Sequence, residues 1–186
     1  MNFIHQEFIP TISLCDELIA FYNANPKYWI EGTTGDTVNR DRKKSTDLIL
    51  PVSAYYESEL FKRYLTELGT ISKNYIDKFN FCNDGSSWGL AENFNIQYYK
   101  PGEAFFAWHC ERITSKIPYS NRHLVWMTYL NDVTDEGETE FYYQELKIKP
   151  EKGKTVIFPA DWTHTHRGIA SKTQDKYIIT GWYNFL

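Results

Sequence analysis

Apolar positions in the first third of the chain recur at helical spacing. In "SLCDELIAFYNANP" Leu14, Leu18, Phe21 and Tyr22 fall on one face. Ser13 stands where an N-cap belongs, with Asp16 three residues on, and Pro26 marks the end. A second helix is predicted from about Ala54 to Phe79. Its apolar positions, Leu60, Phe61, Tyr64, Leu65, Leu68, Ile71, Tyr75, Ile76 and Phe79, keep close to the helical repeat, and Gly69 is the point where it would bend or split. The intervening "YWIEGTTGDTVNRDRKKSTD" is polar and without period, so it reads as a loop.

After "NDGSSWG" the pattern changes to short aromatic and β-branched runs separated by turn signals. The runs are "NFNIQYY", "AFFAWHCER", "HLVWMTYL", "TEFYY", "LKIKP", "TVIFP", "HTHRGI" and "YIITGWYNF". Several are apolar on both faces, as strands covered by a second layer must be. The expected fold is mainly β with N-terminal helices (α+β): a jelly roll, or double-stranded β-helix, braced by helices. One domain over 1–186 is expected, with 1–87 as helical support and loops and 88–186 as the core carrying the site.

Composition narrows the function classes. Aromatic residues make up 17% of the 186, with 14 Tyr, so a β core can line a polar pocket without losing packing. A net charge of −4 gives no electrostatic reason for a nucleic-acid partner. No apolar run has membrane-spanning length, and "MNFIHQEFIP" lacks the basic start and apolar core of a signal peptide. Three scattered cysteines, Cys15, Cys82 and Cys110, fit reduced thiols, so an intracellular, cytoplasmic location is expected.

The chemistry concentrates in two short stretches. "AWHCERI" places His109 and Glu111 two apart, hence on one strand face, with Cys110 opposite and in the core. "WTHTHRG" supplies His164 and His166, again sharing a face. Two histidines and a carboxylate form the set used by non-haem Fe(II) oxygenases. Spacing alone does not separate this from an ordinary His–carboxylate hydrogen bond. In the last run Lys176, Thr180 and Trp182 share the inward parity. An inward lysine requires a buried anion, whereas the common alternative is a solvated lysine at a strand start.

Five motifs in order then resemble the Fe(II)- and 2-oxoglutarate-dependent oxygenases, in their prolyl-4-hydroxylase-like branch. They are "YYKPGEAFFAWHCE", "MTYLND", "EGETEF", "KPEKGKTVIFP", and "THTHRG" with Lys176 ten residues beyond His166. They run from about Glu92 to the C-terminus. The resemblance implies Fe(II) on His109, Glu111 and His166, which would be the catalytic centre. It implies 2-oxoglutarate with its far carboxylate on Lys176 and Tyr129, a pocket lined by Tyr99, and an inner wall of Thr180 and Trp182. It further implies O2 as co-reactant, ascorbate as an optional addition, and hydroxylation of a substrate C–H with release of succinate and CO2. The substrate expected on that basis is a prolyl residue in a peptide or protein. A hydroxylase of a free amino acid or other small molecule, and a non-catalytic jelly-roll binding module, are the alternatives.

The chain departs from the family twice. Glu111 stands where Asp is usual, one methylene longer, and the histidine is doubled, so that only the spacing to Lys176 and the resemblance choose His166 over His164. His164 is expected behind the metal or facing substrate. A halogenase would lack the carboxylate, a repair dioxygenase would carry arginines after the distal histidine, and a closed zinc site usually needs a fourth ligand. The basic stretch "NRDRKKSTD" reads first as a solvated loop. By the same resemblance it is alternatively a segment closing over a peptide. Arg112, Arg122 and Arg167 are read equally as surface residues or as substrate contacts at the mouth.

Overall fold

The computed structural model describes residues 1–186. In chain order the elements are β1 (His5–Phe8), α1 (Ser13–Ala24), β2 (Ile30–Glu31), β3 (Thr46–Leu50), α2 (Ala54–Glu57), α3 (Glu59–Lys78), β4 (Trp88–Gly89) and β5 (Phe94–Tyr99). There follow β6 (Arg122–Tyr129), β7 (Thr139–Phe141), β8 (Leu146–Ile148), β9 (Lys154–Pro159), β10 (His166–Gly168) and β11 (Lys176–Phe185). A large antiparallel sheet runs β1-β9-β6-β11-β5-β3-β2, with β4 on the end of β11. A small sheet, β10-β7-β8, faces it. The architecture is the expected mainly-β jelly roll braced by helices.

The two-faced apolar runs are explained by what covers each side. On β6, Leu124 and Trp126 pack with α1 and α3 against the outer face of the large sheet. Val125, Met127 and Tyr129 point the other way, into the space between the sheets, with Phe141, Ile148, Val156, Phe158 and Ile178. The helices are tied on by buried hydroxyl pairs as well as by apolar contact: Tyr64 with Thr128 at 2.8 Å and Ser72 with Tyr183 at 2.7 Å. Gly181 lies opposite Trp126 in the β6–β11 register, and a Cβ there would come within 2.3 Å of the indole. Glycine is what lets that ring lie flat on the sheet.

Several expectations are revised. The second helix breaks at Ser58, which is extended, and runs unbroken through Gly69, whose Cα faces open space. Ser13 is the first helical residue rather than the cap, because the carbonyls of Thr11 and Ile12 already take the amides of Leu14 and Cys15. "AFFAWHCER" is not a regular strand; it makes isolated bridges only, Lys43 to Phe105 and His109 to His166. Residues before 88 also supply sheet strands: β1 pairs with β9, and β3 with β5. The 39–47 stretch is not solvated throughout. Lys43, Ser45 and Asp47 are buried, and the Arg42 carbonyl accepts from the amides of Phe106 and Ala107.

Candidate active site

His109 and His166 are joined backbone to backbone: the His109 amide donates to the His166 carbonyl at 3.0 Å, and the reverse bond is 2.8 Å. Each ring is oriented by a carbonyl. Nδ1 of His109 lies 2.9 Å from the Ala107 oxygen, and Nδ1 of His166 lies 2.9 Å from the His164 oxygen. A carbonyl only accepts, so both Nδ1 atoms carry a hydrogen, and in the neutral tautomer this fixes it is Nε2 that presents the lone pair. Those Nε2 atoms lie 3.4 and 3.7 Å from one oxygen of Glu111, Oε1. The ligand atoms of His109, Glu111 and His166 all fall within 4.8 Å of one another. Phe105 stacks on His109 at 3.6 Å, and Phe158 lies edge-on to His166 at 5.0 Å, so the rings have little room to turn.

The electrostatics favour a cation. Burial by itself would raise the Glu111 carboxyl, but His109 first, then Arg122 and His166, outweigh it and hold it well below the usual range. Burial, with His109 beside it, pushes His166 down to about 3, so its imidazole is neutral near pH 7. Two imidazoles and an ionised carboxylate are a donor set that fits a divalent first-row metal.

The same cavity, about 720 Å³, is bordered by Tyr99, Lys176, Thr180 and Trp182 together with the trio. Lys176 is buried; its ammonium donates to the Gly137 carbonyl at 2.7 Å and has no carboxylate partner. Desolvation lowers it to about 8. Tyr99 donates to Gln97 Oε1 at 2.6 Å, and Thr180 to the Trp126 carbonyl at 2.9 Å. Tyr129 differs from the expectation. Its hydroxyl donates to Thr139 Oγ1 at 2.7 Å, so it is Thr139, not Tyr129, that borders the cavity; the Tyr129 ring stands 5.5 Å from the Lys176 ammonium.

His164 does not share a strand face with His166. It ends a short 3₁₀ turn, Trp162–His164, and its Nε2 donates to the Asn2 carbonyl at 2.8 Å. It does not face substrate; its backbone oxygen orients the His166 ring. Of the three arginines, Arg112 pairs with Asp161, Arg167 reaches the rim while pairing with Glu140, and Arg122 is buried in the cavity wall. Cys110 is buried as expected but borders the cavity. The sequence reading missed the Lys43–Asp47 ion pair at 2.7 Å in the cavity wall, and Thr139.

A family model described as the 2OG-Fe(II) oxygenase superfamily matches residues 94–184. That stretch carries a 2OG-Fe(II) oxygenase domain. A 2OG-Fe(II) oxygenase works with Fe(II), 2-oxoglutarate and O2, and the donor trio and the unpaired Lys176 fit the first two. No curated protein matches the chain in sequence. Solved structures match in fold. A Pseudomonas putida prolyl-4-hydroxylase is 15% identical with TM-score 0.74, covering 100% of this chain and 94% of that one. The viral collagen prolyl hydroxylase of Paramecium Bursaria Chlorella virus-1 is 20% identical with TM-score 0.69, covering 99% and 97%. A Trichoplax adhaerens prolyl hydroxylase, solved with a hypoxia inducible factor peptide fragment, is 16% identical with TM-score 0.75, covering 100% and 84%.

Proposed function

We propose that this oxygenase hydroxylates a prolyl residue in a peptide or protein, with His109, Glu111 and His166 holding Fe(II) and Lys176 receiving the far carboxylate of 2-oxoglutarate. The observation that carries the reading is a buried, unpaired ammonium in the same cavity as a preformed His–Glu–His donor set. A buried cation without a counter-charge is costly unless a ligand supplies one. Because Tyr129 donates to Thr139, the Thr139 hydroxyl keeps its own hydrogen for the same carboxylate. Iron and cosubstrate supply the oxidation: O2 and 2-oxoglutarate are consumed, one oxygen enters a substrate C–H bond, and succinate and CO2 leave. The protein positions the cosubstrate, and Val125, Met127, Phe158 and Ile178 give that part of the cavity an apolar, water-poor lining.

The prolyl assignment is supported by the fold shared with three prolyl hydroxylases, one of them holding a peptide. The Lys43–Asp47 pair favours a second reading, a free amino acid, since a wall offering both charges suits a zwitterion. Succinate release and mass gain of one oxygen, measured with prolyl peptides and with free proline, separate the two. Turnover on free proline alone would remove the peptide reading. Absence of a charge-transfer band with anaerobic Fe(II) and 2-oxoglutarate would remove the site assignment itself.

A further inference from the structure

The second oxygen of Glu111 is not free. Oε2 accepts from Nη1 of Arg122 at 2.8 Å, while Oε1 faces the two histidines. Arg122 is 6% exposed and held from every side. Its Nε and Nη2 donate to Glu92 Oε1 at 3.1 and 2.5 Å, and Glu92 Oε2 in turn accepts from Asn184 at 3.0 Å. The guanidinium lies 3.5 Å from the centre of the Trp182 ring and 4.6 Å from that of Tyr119. A planar fork locked in this way cannot follow Glu111 if the carboxylate swings.

Resting on the metal site proposed above, we infer that Arg122 is a positioning residue that makes Glu111 a one-oxygen ligand. A glutamate has one more rotatable bond than an aspartate and reaches further, so an unrestrained Glu111 could turn both oxygens toward the metal. That would take a position which the cosubstrate or O2 needs. With Oε2 committed to Arg122, only Oε1 is available, and the set of positions left open is the one an aspartate would leave. Glu92 and Asn184 belong to the device because they fix the guanidinium. Arg122 touches neither cosubstrate nor reacting atoms in this role; it acts through Glu111.

The test uses the full chain loaded anaerobically with Fe(II) and 2-oxoglutarate and titrated with nitric oxide. This O2 surrogate gives a distinctive EPR signal and binds only where a position is free. In Arg122→Met the charge-transfer band should persist at saturating metal and cosubstrate, while nitric oxide affinity falls roughly 10- to 100-fold, an effect of the size that residues behind a metal ligand have on metal affinity or activity. Arg122→Lys should recover part of it. Should Arg122→Met fail to fold by circular dichroism, Arg122→Gln, which keeps a donor for Glu92 but is too short for Glu111, carries the comparison. Nitric oxide affinity unchanged from wild type would overturn the inference. So would joint loss of iron, cosubstrate and nitric oxide binding in a folded variant, which marks a merely structural role. A wild-type protein that never forms the band would instead bring down the underlying site, and this inference with it.

Discussion

Replacing Lys176 with Met should stabilise the protein while destroying its cosubstrate site. Burial takes the Lys176 ammonium from its ordinary 10.5 down to about 8, against the opposing charge of Glu138. At about 1.4 kcal/mol per pH unit, holding that charge in the unliganded protein at pH 7 costs on the order of 3 kcal/mol. Methionine keeps much of the stem's packing but forfeits the bond to the Gly137 carbonyl, worth about 1 to 2 kcal/mol once that buried oxygen loses its donor. The net expectation is a variant about 1 to 2 kcal/mol more stable by urea denaturation at pH 7. The pH dependence sharpens it. Between about 8 and 10.5 the unfolded state holds the proton that the folded state has lost, so wild-type stability rises with pH in that window. The variant's advantage should therefore disappear within this window and give way to a deficit of about 1 to 2 kcal/mol at its upper end, where only the lost bond to Gly137 remains. With metal present throughout, addition of 2-oxoglutarate should stabilise wild type by about 3 kcal/mol at a hundredfold excess over Kd, and leave the variant unmoved. A variant less stable than wild type at pH 7, or a gap indifferent to pH from 8 to 10.5, would show that Lys176 is not a desolvated cation awaiting an anion.

The other expectations are separable. His166→Ala should abolish Co(II) or Fe(II) binding with the fold intact. His164→Ala should keep metal binding and lose about 0.5 to 1.5 kcal/mol, the worth of the hydrogen bond from its Nε2 to the carbonyl of exposed Asn2. Gly181→Ala should cost about 1 to 3 kcal/mol in chemical denaturation through overpacking on Trp126. Removing either Lys43 or Asp47 alone should cost about 3 to 5 kcal/mol, and a double-mutant cycle with both made neutral should fall well short of the sum.

Much of the site was legible because strand alternation is a local rule. On β11, Lys176, Thr180 and Trp182 share an inward parity whatever the rest of the chain does, whereas His109, Cys110 and Glu111 all border the cavity because their segment is held by isolated bridges rather than by a regular strand. His164 shows where alternation stops: a 3₁₀ turn precedes β10, so equal spacing from His166 does not mean a shared face. Arg122 lay outside the rule for a related reason. On β6 the inward positions are Val125, Met127 and Tyr129, which would send Arg122 outward, but the register against β11 slips between Tyr183 and Asn184 and returns it to the cavity. The 39–47 stretch read as solvent-exposed because its charges are visible in sequence while their partners are not. Lys43 is buried by Asp47 and by a bridge to Phe105, contacts that only the closed chain makes.

By itself, then, the sequence determined the kinds of element, the jelly-roll class, and which side chains could meet a metal or a cosubstrate. These follow from periodicity and motif order within a few residues of one another. The tertiary structure decided which histidine lone pairs face inward, that Tyr129 gives its hydroxyl to Thr139, that β1 and β3 complete the sheet, and that Arg122 occupies one oxygen of Glu111. Each of these depends on a partner distant along the chain, and no local pattern encodes a bond whose other end is placed by the packing of the whole domain.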